Sequence, residues 1–228
     1  MGPDALLRPL AAPKWNSEVS KREGGSPETY RVFIAISVPE HVKDEIERAQ
    51  EELRDALPRG SVRWTKRGQW HLTLKFLGEV ESQRLEALVN SVRRACEGFG
   101  VLQLRVGRIG FFPDARHPHV VWTRVHDGRE RLPLLQRAVE TATAGFTSEE
   151  PEGTFSGHVT LGRCTTIKRP QAEILSKLAK AMENRFFGEW TADRIEIIRS
   201  ELASGGSRYT TLAAVPLAAE FSSGRLPE

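Results

Sequence analysis

The sequence predicts a bilobal α+β protein: two lobes related by an approximate twofold axis, each a mainly antiparallel sheet with outer helices, set around a central groove. Two observations predict this. The order strand, helix, strand, helix occurs twice along the chain, and the second strand of each set carries the same short motif, His71-Leu72-Thr73-Leu74 and then His158-Val159-Thr160-Leu161. Sets of this kind bury one face of each strand beneath helices, which is how layered α+β domains are built.

Residues 1–29 hold Pro3, Pro9, Pro13, Pro27 and a Gly24-Gly25-Ser26 run without sustained periodicity, and are expected to form a flexible tail. The domain is expected over residues 30–218, with a second tail at 219–228. Arg31 to Val38 is apolar and β-branched, as a buried strand is. Pro39-Glu40 opens a helix in which Val42, Ile46, Ala49, Leu53 and Leu57 recur at helical spacing, and Pro58-Arg59-Gly60 ends it. A strand follows over Trp70 to Phe76, then a helix with Leu85, Leu88, Val89, Val92 and Cys96 on its apolar stripe.

The second set has strands at Leu102 to Ile109 and His119 to Val125. A helix is expected over about Arg129 to Ala144, a strand near Gly157 to Arg163, and a further helix carrying Ile174, Leu175, Leu178 and Met182. Two strands close the chain, Arg194 to Leu202 and Arg208 to Leu217, joined by Ser204-Gly205-Gly206-Ser207 as a hairpin turn.

A length of 228 residues suits one domain of ordinary size or two small lobes sharing a core. Hydrophobic residues at 39% and charged residues at 28% exclude a disordered or a membrane-embedded chain, and no run of eighteen apolar residues exists. The Leu6-Leu7 to Ala11-Ala12 patch is interrupted by Arg8 and Pro9 and lacks a basic lead, so it does not read as a secretory signal. Two distant cysteines, Cys96 and Cys164, make neither a disulfide framework nor a metal pattern, and a cytoplasmic setting is expected. A net charge of +3 leans mildly toward polyanions. Basic residues gather at Arg63, Lys66 and Arg67, at Arg105 and Arg108, and at Arg163, Lys168 and Arg169; taken singly, each cluster reads as a solvated face.

The chemistry lies in the paired motifs. Strand side chains alternate faces, so His71 and Thr73 share one face while Leu72, Leu74 and Phe76 share the other; His158 and Thr160 lie opposite Val159 and Leu161 in the same way. Two His-Thr pairs facing one groove suit phosphodiester cleavage without metal. A neutral imidazole can take a proton from attacking water, and an imidazolium can protonate the departing oxygen. The hydroxyls can donate to the non-bridging oxygens.

These motifs and their flanks resemble the RNA 2′,3′-cyclic phosphodiesterases, the 2′-5′ RNA ligase family of the two-histidine phosphoesterases. The resemblance runs from about Arg31 to Leu217 and rests on RVFIAISVP, on WHLTLKFLGEV at Trp70 to Val80, on FFPDARHPHVVW at Phe111 to Trp122, on GHVTLGR at Gly157 to Arg163, and on SEL and GSRYTTL between Ser200 and Leu212. It implies that the catalytic pair is His71 as general acid and His158 as general base, with Thr73, Thr160 and Arg163 binding phosphate. It implies RNA cyclic-phosphate termini as substrate, a 2′-phosphate product, no cofactor and no metal. RNA ends or short oligonucleotides are the expected partners, with no membrane, and a monomer is expected. The alternatives are 2′-5′ ligation, hydrolysis of another cyclic or 2′-linked nucleotide, or a nucleotide-binding module without turnover. Where the family often has Pro-Arg before the middle V-x-W strand, this chain has Pro118-His119.

Arg163 breaks the parity of an ideal strand and should point away from His158, although Gly162 can loosen the strand there. Lys75 should share the face of His71. Phe112 and Tyr209 are candidate platforms for a terminal base, whereas Trp122 is expected in the core. His41, His117, His119 and His126 are expected at the surface.

Overall fold

In a computed structural model that describes residues 27–148, 153–203 and 206–217, nine strands form one antiparallel sheet with helices packed against it. In chain order the elements are β1 (Thr29–Ser37), α1 (Glu40–Asp55), β2 (Val62–Trp64), β3 (His71–Glu81), α2 (Leu85–Cys96), β4 (Leu102–Phe112), β5 (Val120–Asp127), α3 (Arg131–Thr143), β6 (His158–Cys164), α4 (Arg169–Ala181), β7 (Phe186–Ala192), β8 (Arg194–Ala203) and β9 (Gly206–Pro216). Across the sheet the strands run β7-β4-β5-β6-β3-β1-β8-β9, with β2 also paired to β6. The two expected lobes are therefore two runs of four strands, and β6 and β3 are the strands that meet between them.

The apolar spacing accounts for what lies inside. Val42, Ile46, Ala49 and Leu53 of α1 are fully buried, and Cys96 of α2 is core as expected. Each large aliphatic side chain removed from water contributes roughly 1.5–3 kcal/mol. In β1 the buried run divides between two faces. Val32, Ile34 and Ile36 join the main core, while Phe33 and Ala35 form a separate small cluster with Ile198, and Tyr209 packs on it. Both faces being apolar, the sequence of β1 carries no alternation to mark them.

The crossover helices exchange halves. The helix α1 follows β1 yet packs against β7, at the far edge of the other run; α3 follows β5 and packs against β3. The close approach of α1 to β7 needs Gly188, whose φ is +135° and where an added Cβ would stand 3.0 Å from a Val42 methyl carbon. That irregularity, with a register shift beside it in the β4–β7 pairing, explains why β7 has no legible strand pattern. The three-residue β2 is too short to show one.

Both motif strands carry a bulge at the same place. On β1, Ala35 pairs with Thr73 and Ile34 with Lys75, so Leu74 is left over; on β5, Trp122 pairs with Thr160 and Val121 with Gly162, so Leu161 is left over. A bulged residue falls out of the ladder and its backbone needs another partner. A glutamine from a crossover helix supplies one in each half. Gln136 Nε2 of α3 donates to the Leu74 carbonyl at 3.3 Å, and buried Gln50 Nε2 of α1 donates to the Leu161 carbonyl at 2.9 Å. Gln50 also reaches the Thr65 carbonyl at 2.9 Å, and the Thr65 amide donates to Leu161 O at 2.8 Å.

The tails expected at 1–29 and 219–228 lie outside the described residues apart from 27–29, and Thr29 already belongs to β1. The hairpin pairs from Ala203↔Gly206, and Ser204-Gly205 lie outside the described residues. No described helix is long and apolar enough to cross a membrane. Because Gln50 serves two buried carbonyls, Gln50→Leu should cost about 1–3 kcal/mol of stability, read as a lower urea midpoint with unchanged slope.

Candidate active site

The strands β3 and β6 share a single registered pair, Leu72↔Val159. Both side chains are fully buried. Opposed residues in an antiparallel pair leave the sheet on the same face, and their chain neighbours leave on the other. His71, Thr73, His158 and Thr160 are those neighbours, so all four lie on the face away from the core, and each is half-buried. Antiparallel order puts Thr73 and His158 to one side of the pair, His71 and Thr160 to the other. The two histidines are thus diagonal neighbours, a relation that spans about 7–8 Å in sheets generally, enough for one phosphate between two imidazoles.

Each ring is held from behind by the carbonyl two residues earlier. His158 Nδ1 lies 2.7 Å from the Ser156 carbonyl, which can only accept, so Nδ1 carries the proton and Nε2 is the other ring nitrogen, not engaged by this bond. His71 donates in the same way to the Gln69 carbonyl. The segment bearing that carbonyl is tied down, since Gln69 Nε2 donates to Ser207 O on β9 at 2.6 Å.

Aromatic rings flank both imidazoles. Phe33 lies 4.7 Å and Tyr209 5.3 Å from the His71 ring, Tyr209 edge-on. Phe112 meets His158 edge-on at 5.1 Å, and Trp122 lies 6.0 Å from it while stacking on Phe112 at 4.9 Å. The sequence expectation for Trp122 is thereby corrected: it is half-buried and lines the site rather than the core, because the bulge in β6 pairs it with Thr160. Phe33 was not legible as a site residue within its apolar run.

The bulges also correct the parity of the residues beyond them. Lys75 does not share the face of His71: it is 5% exposed and makes an ion pair with Glu140 beneath α3. Phe76 does not share the apolar face of Leu72 and Leu74: it is 47% exposed, with its ring 5.9 Å from Phe33. Five residues past each motif histidine, the chain thus returns to the groove face. Phe76 is that residue in β3, and Arg163 is that residue in β6. Arg163 is exposed, and its charge acts on the Tyr209 hydroxyl, which burial otherwise pushes above the ordinary tyrosine range. The expected misalignment of Arg163 does not arise, since Leu161 and Gly162 together take up the odd step. Gly162 is obligatory in this packing, because a Cβ there would stand 2.6 Å from Val62 and 2.9 Å from Trp64.

His41, His117, His119 and His126 are exposed, as expected. Among the described residues no group of three or more His, Cys, Asp or Glu could hold a metal ion.

Burial moves His71 down to about 4 from an ordinary 6.5, the positive charge of His158 adding to the effect and the Gln69 hydrogen bond opposing it. Burial therefore holds His71 neutral at pH 7. The unfolded chain binds this proton below about 6.5 and the folded chain only below about 4, so stability falls as pH drops through that window. Between about pH 7 and pH 4.5 the loss traceable to His71 should be of order 1–2 kcal/mol. It should be smaller in His71→Asn, measured as the difference between urea midpoints at the two pH values.

A family profile described as LigT like Phosphoesterase matches residues 36–122. An RNA 2′,3′-cyclic phosphodiesterase of Methanothermobacter thermautotrophicus is 30% identical over 185 residues, spanning 80% of this chain and 96% of the relative. One from Thermotoga maritima is 32% identical over 187 residues, spanning 80% and 92%. Among solved structures, E. coli LigT complexed with 3′-AMP superimposes with a TM-score of 0.65 at 23% identity, covering 83% of this chain and 99% of that one. A Thermus thermophilus protein gives 0.65 at 24% identity with the same coverage. These solved structures share the fold, and with the sequence relatives they place the chain: it belongs to the LigT-like phosphoesterases, in the family of the RNA 2′,3′-cyclic phosphodiesterases.

Proposed function

We propose that this protein hydrolyses the 2′,3′-cyclic phosphate of RNA ends, leaving a 2′-phosphate. The observation that carries this is the placement of two imidazoles, one from each half, on the groove face around a single cross-strand pair, each with a threonine beside it. The relatives that share 80% of the chain bear the name of this activity.

The site residues divide the work between them. His158, protonated on Nδ1 toward Ser156, presents a bare Nε2 that takes a proton from water. The water oxygen forms a bond to phosphorus, the bond from phosphorus to O3′ breaks, and His71 gives O3′ its proton. Burial favours the neutral form of His71, so its role as acid depends on the substrate. The negative phosphate, set against the ring, raises its affinity for a proton, and the same charge that needs a donor recruits one. Thr73 and Thr160 donate to the non-bridging oxygens, and Arg163 offsets the charge growing there. Tyr209 and Phe112 offer faces to the terminal base. Both motifs come from one chain, so a monomer is sufficient. The two cysteines are unpaired, in keeping with work in the cytoplasm.

Incubation with a dinucleotide ending in a cyclic phosphate, with and without EDTA, tests this. We expect turnover that survives chelation and a 2′-phosphate product; a 3′-phosphate product would overturn the assignment of the leaving oxygen. His71→Ala and His158→Ala should each lose about 10²- to 10⁴-fold in kcat with the fold intact by circular dichroism. Near-wild-type rates in either would remove that residue from the mechanism.

A further inference from the structure

Arg63 and Arg163 are directly opposed residues of β2 and β6. Opposed side chains in an antiparallel pair leave on the same face with Cβ atoms about 4.5–5.5 Å apart, and like charges so placed repel. Both arginines are exposed, and among the described residues neither forms an ion pair with a carboxylate. Their neighbours in sequence are balanced: Arg67 is held by Glu40, Asp44 and Glu47, and Arg169 by Glu173. Nor is there room on the other face of this strand pair, where Val62 and Trp64 close over Gly162. The arginines share the groove face, since the bulge at Leu161 returns Arg163 to the side of His158 and Thr160 and puts its charge on Tyr209, the ring beside His71.

Two arginines on opposed positions of one groove face, neither of them paired with a carboxylate among the described residues, suit an anion, and the planar fork of arginine matches phosphate oxygens. Under the reading above, which this step assumes, Arg163 faces the reacting phosphate. Arg63 stands beside it on the next strand, where the adjoining phosphate of a polynucleotide would fall. We propose that Arg63 forms a subsite for the phosphodiester preceding the cyclic phosphate, so that the enzyme selects the end of an RNA strand over a nucleoside cyclic monophosphate.

The test compares kcat/KM for adenosine 2′,3′-cyclic monophosphate with that for a dinucleotide ending in a 2′,3′-cyclic phosphate, in wild type, Arg63→Gln and Arg63→Lys. Wild type should favour the dinucleotide. Arg63→Gln should reduce that preference about tenfold or more, with Arg63→Lys in between, and the salt dependence of dinucleotide turnover should weaken by about one phosphate contact in Arg63→Gln. An unchanged preference, or equal losses on both substrates, in an active enzyme would overturn the subsite alone. A wild type that hydrolyses neither substrate would overturn the parent reading and this one with it.

Discussion

The whole site depends on one cross-strand contact. The halves of the sheet join where Leu72 meets Val159, and nowhere else along β3 and β6 are residues in register. Burying that pair turns the two flanking residues of each strand outward together, and these are the motif histidines and threonines. A slip of one residue in either strand would send a histidine into the core and an aliphatic side chain into the groove. The aliphatic positions of the motifs are therefore as much part of the proposed catalytic arrangement as the imidazoles they orient.

The bulges refine this arrangement. A regular strand would carry the histidine, the threonine and the residue four places past the histidine to the groove, and would turn the residue five places on toward the helices. Leaving out Leu74 and Leu161 from their ladders moves the third groove-facing position of each strand one residue along, to Phe76 in one half and Arg163 in the other. The halves thus share a frame and differ in what they place at its rim, an apolar ring on one side and a cation on the other. Each bulge leaves a carbonyl out of its ladder, and the glutamines of α1 and α3 donate to it from the opposite half, joined at Leu161 by the Thr65 amide.

Much of this was legible in the sequence. The helical stripes of α1, α2 and α3 and the repeated motif lead directly to an α+β architecture in two related halves. His71, Thr73, His158 and Thr160 fall on the face that alternation assigns them. What alternation could not supply is what the bulges changed: Lys75 and Phe76 exchange faces, Arg163 returns to the groove, and Trp122 leaves the core for the site. A bulge is a relation between two strands, so no periodicity within one strand reveals it. Phe33 was hidden for another reason. Its strand is apolar on both sides, and only the neighbours Ile198 and Tyr209, far away in sequence, define its second face. The strand β7 escaped because Gly188 breaks its pattern where α1 presses against it.

The strand β1 pairs with β8, near the other end of the chain, in contacts such as Phe33↔Ile198. Together with the exchange of α1 and α3 between halves, this makes the topology strongly non-local. Neither half is complete by itself: the sheet around His71 is open along β1 until β8 and β9 emerge, and that around His158 packs under α1, which comes from the first third of the chain. High contact order slows folding and favours concerted assembly. A chain emerging from the ribosome would hold a sheet open along β1 until β8 and β9 had emerged, and would complete the two halves of the groove together.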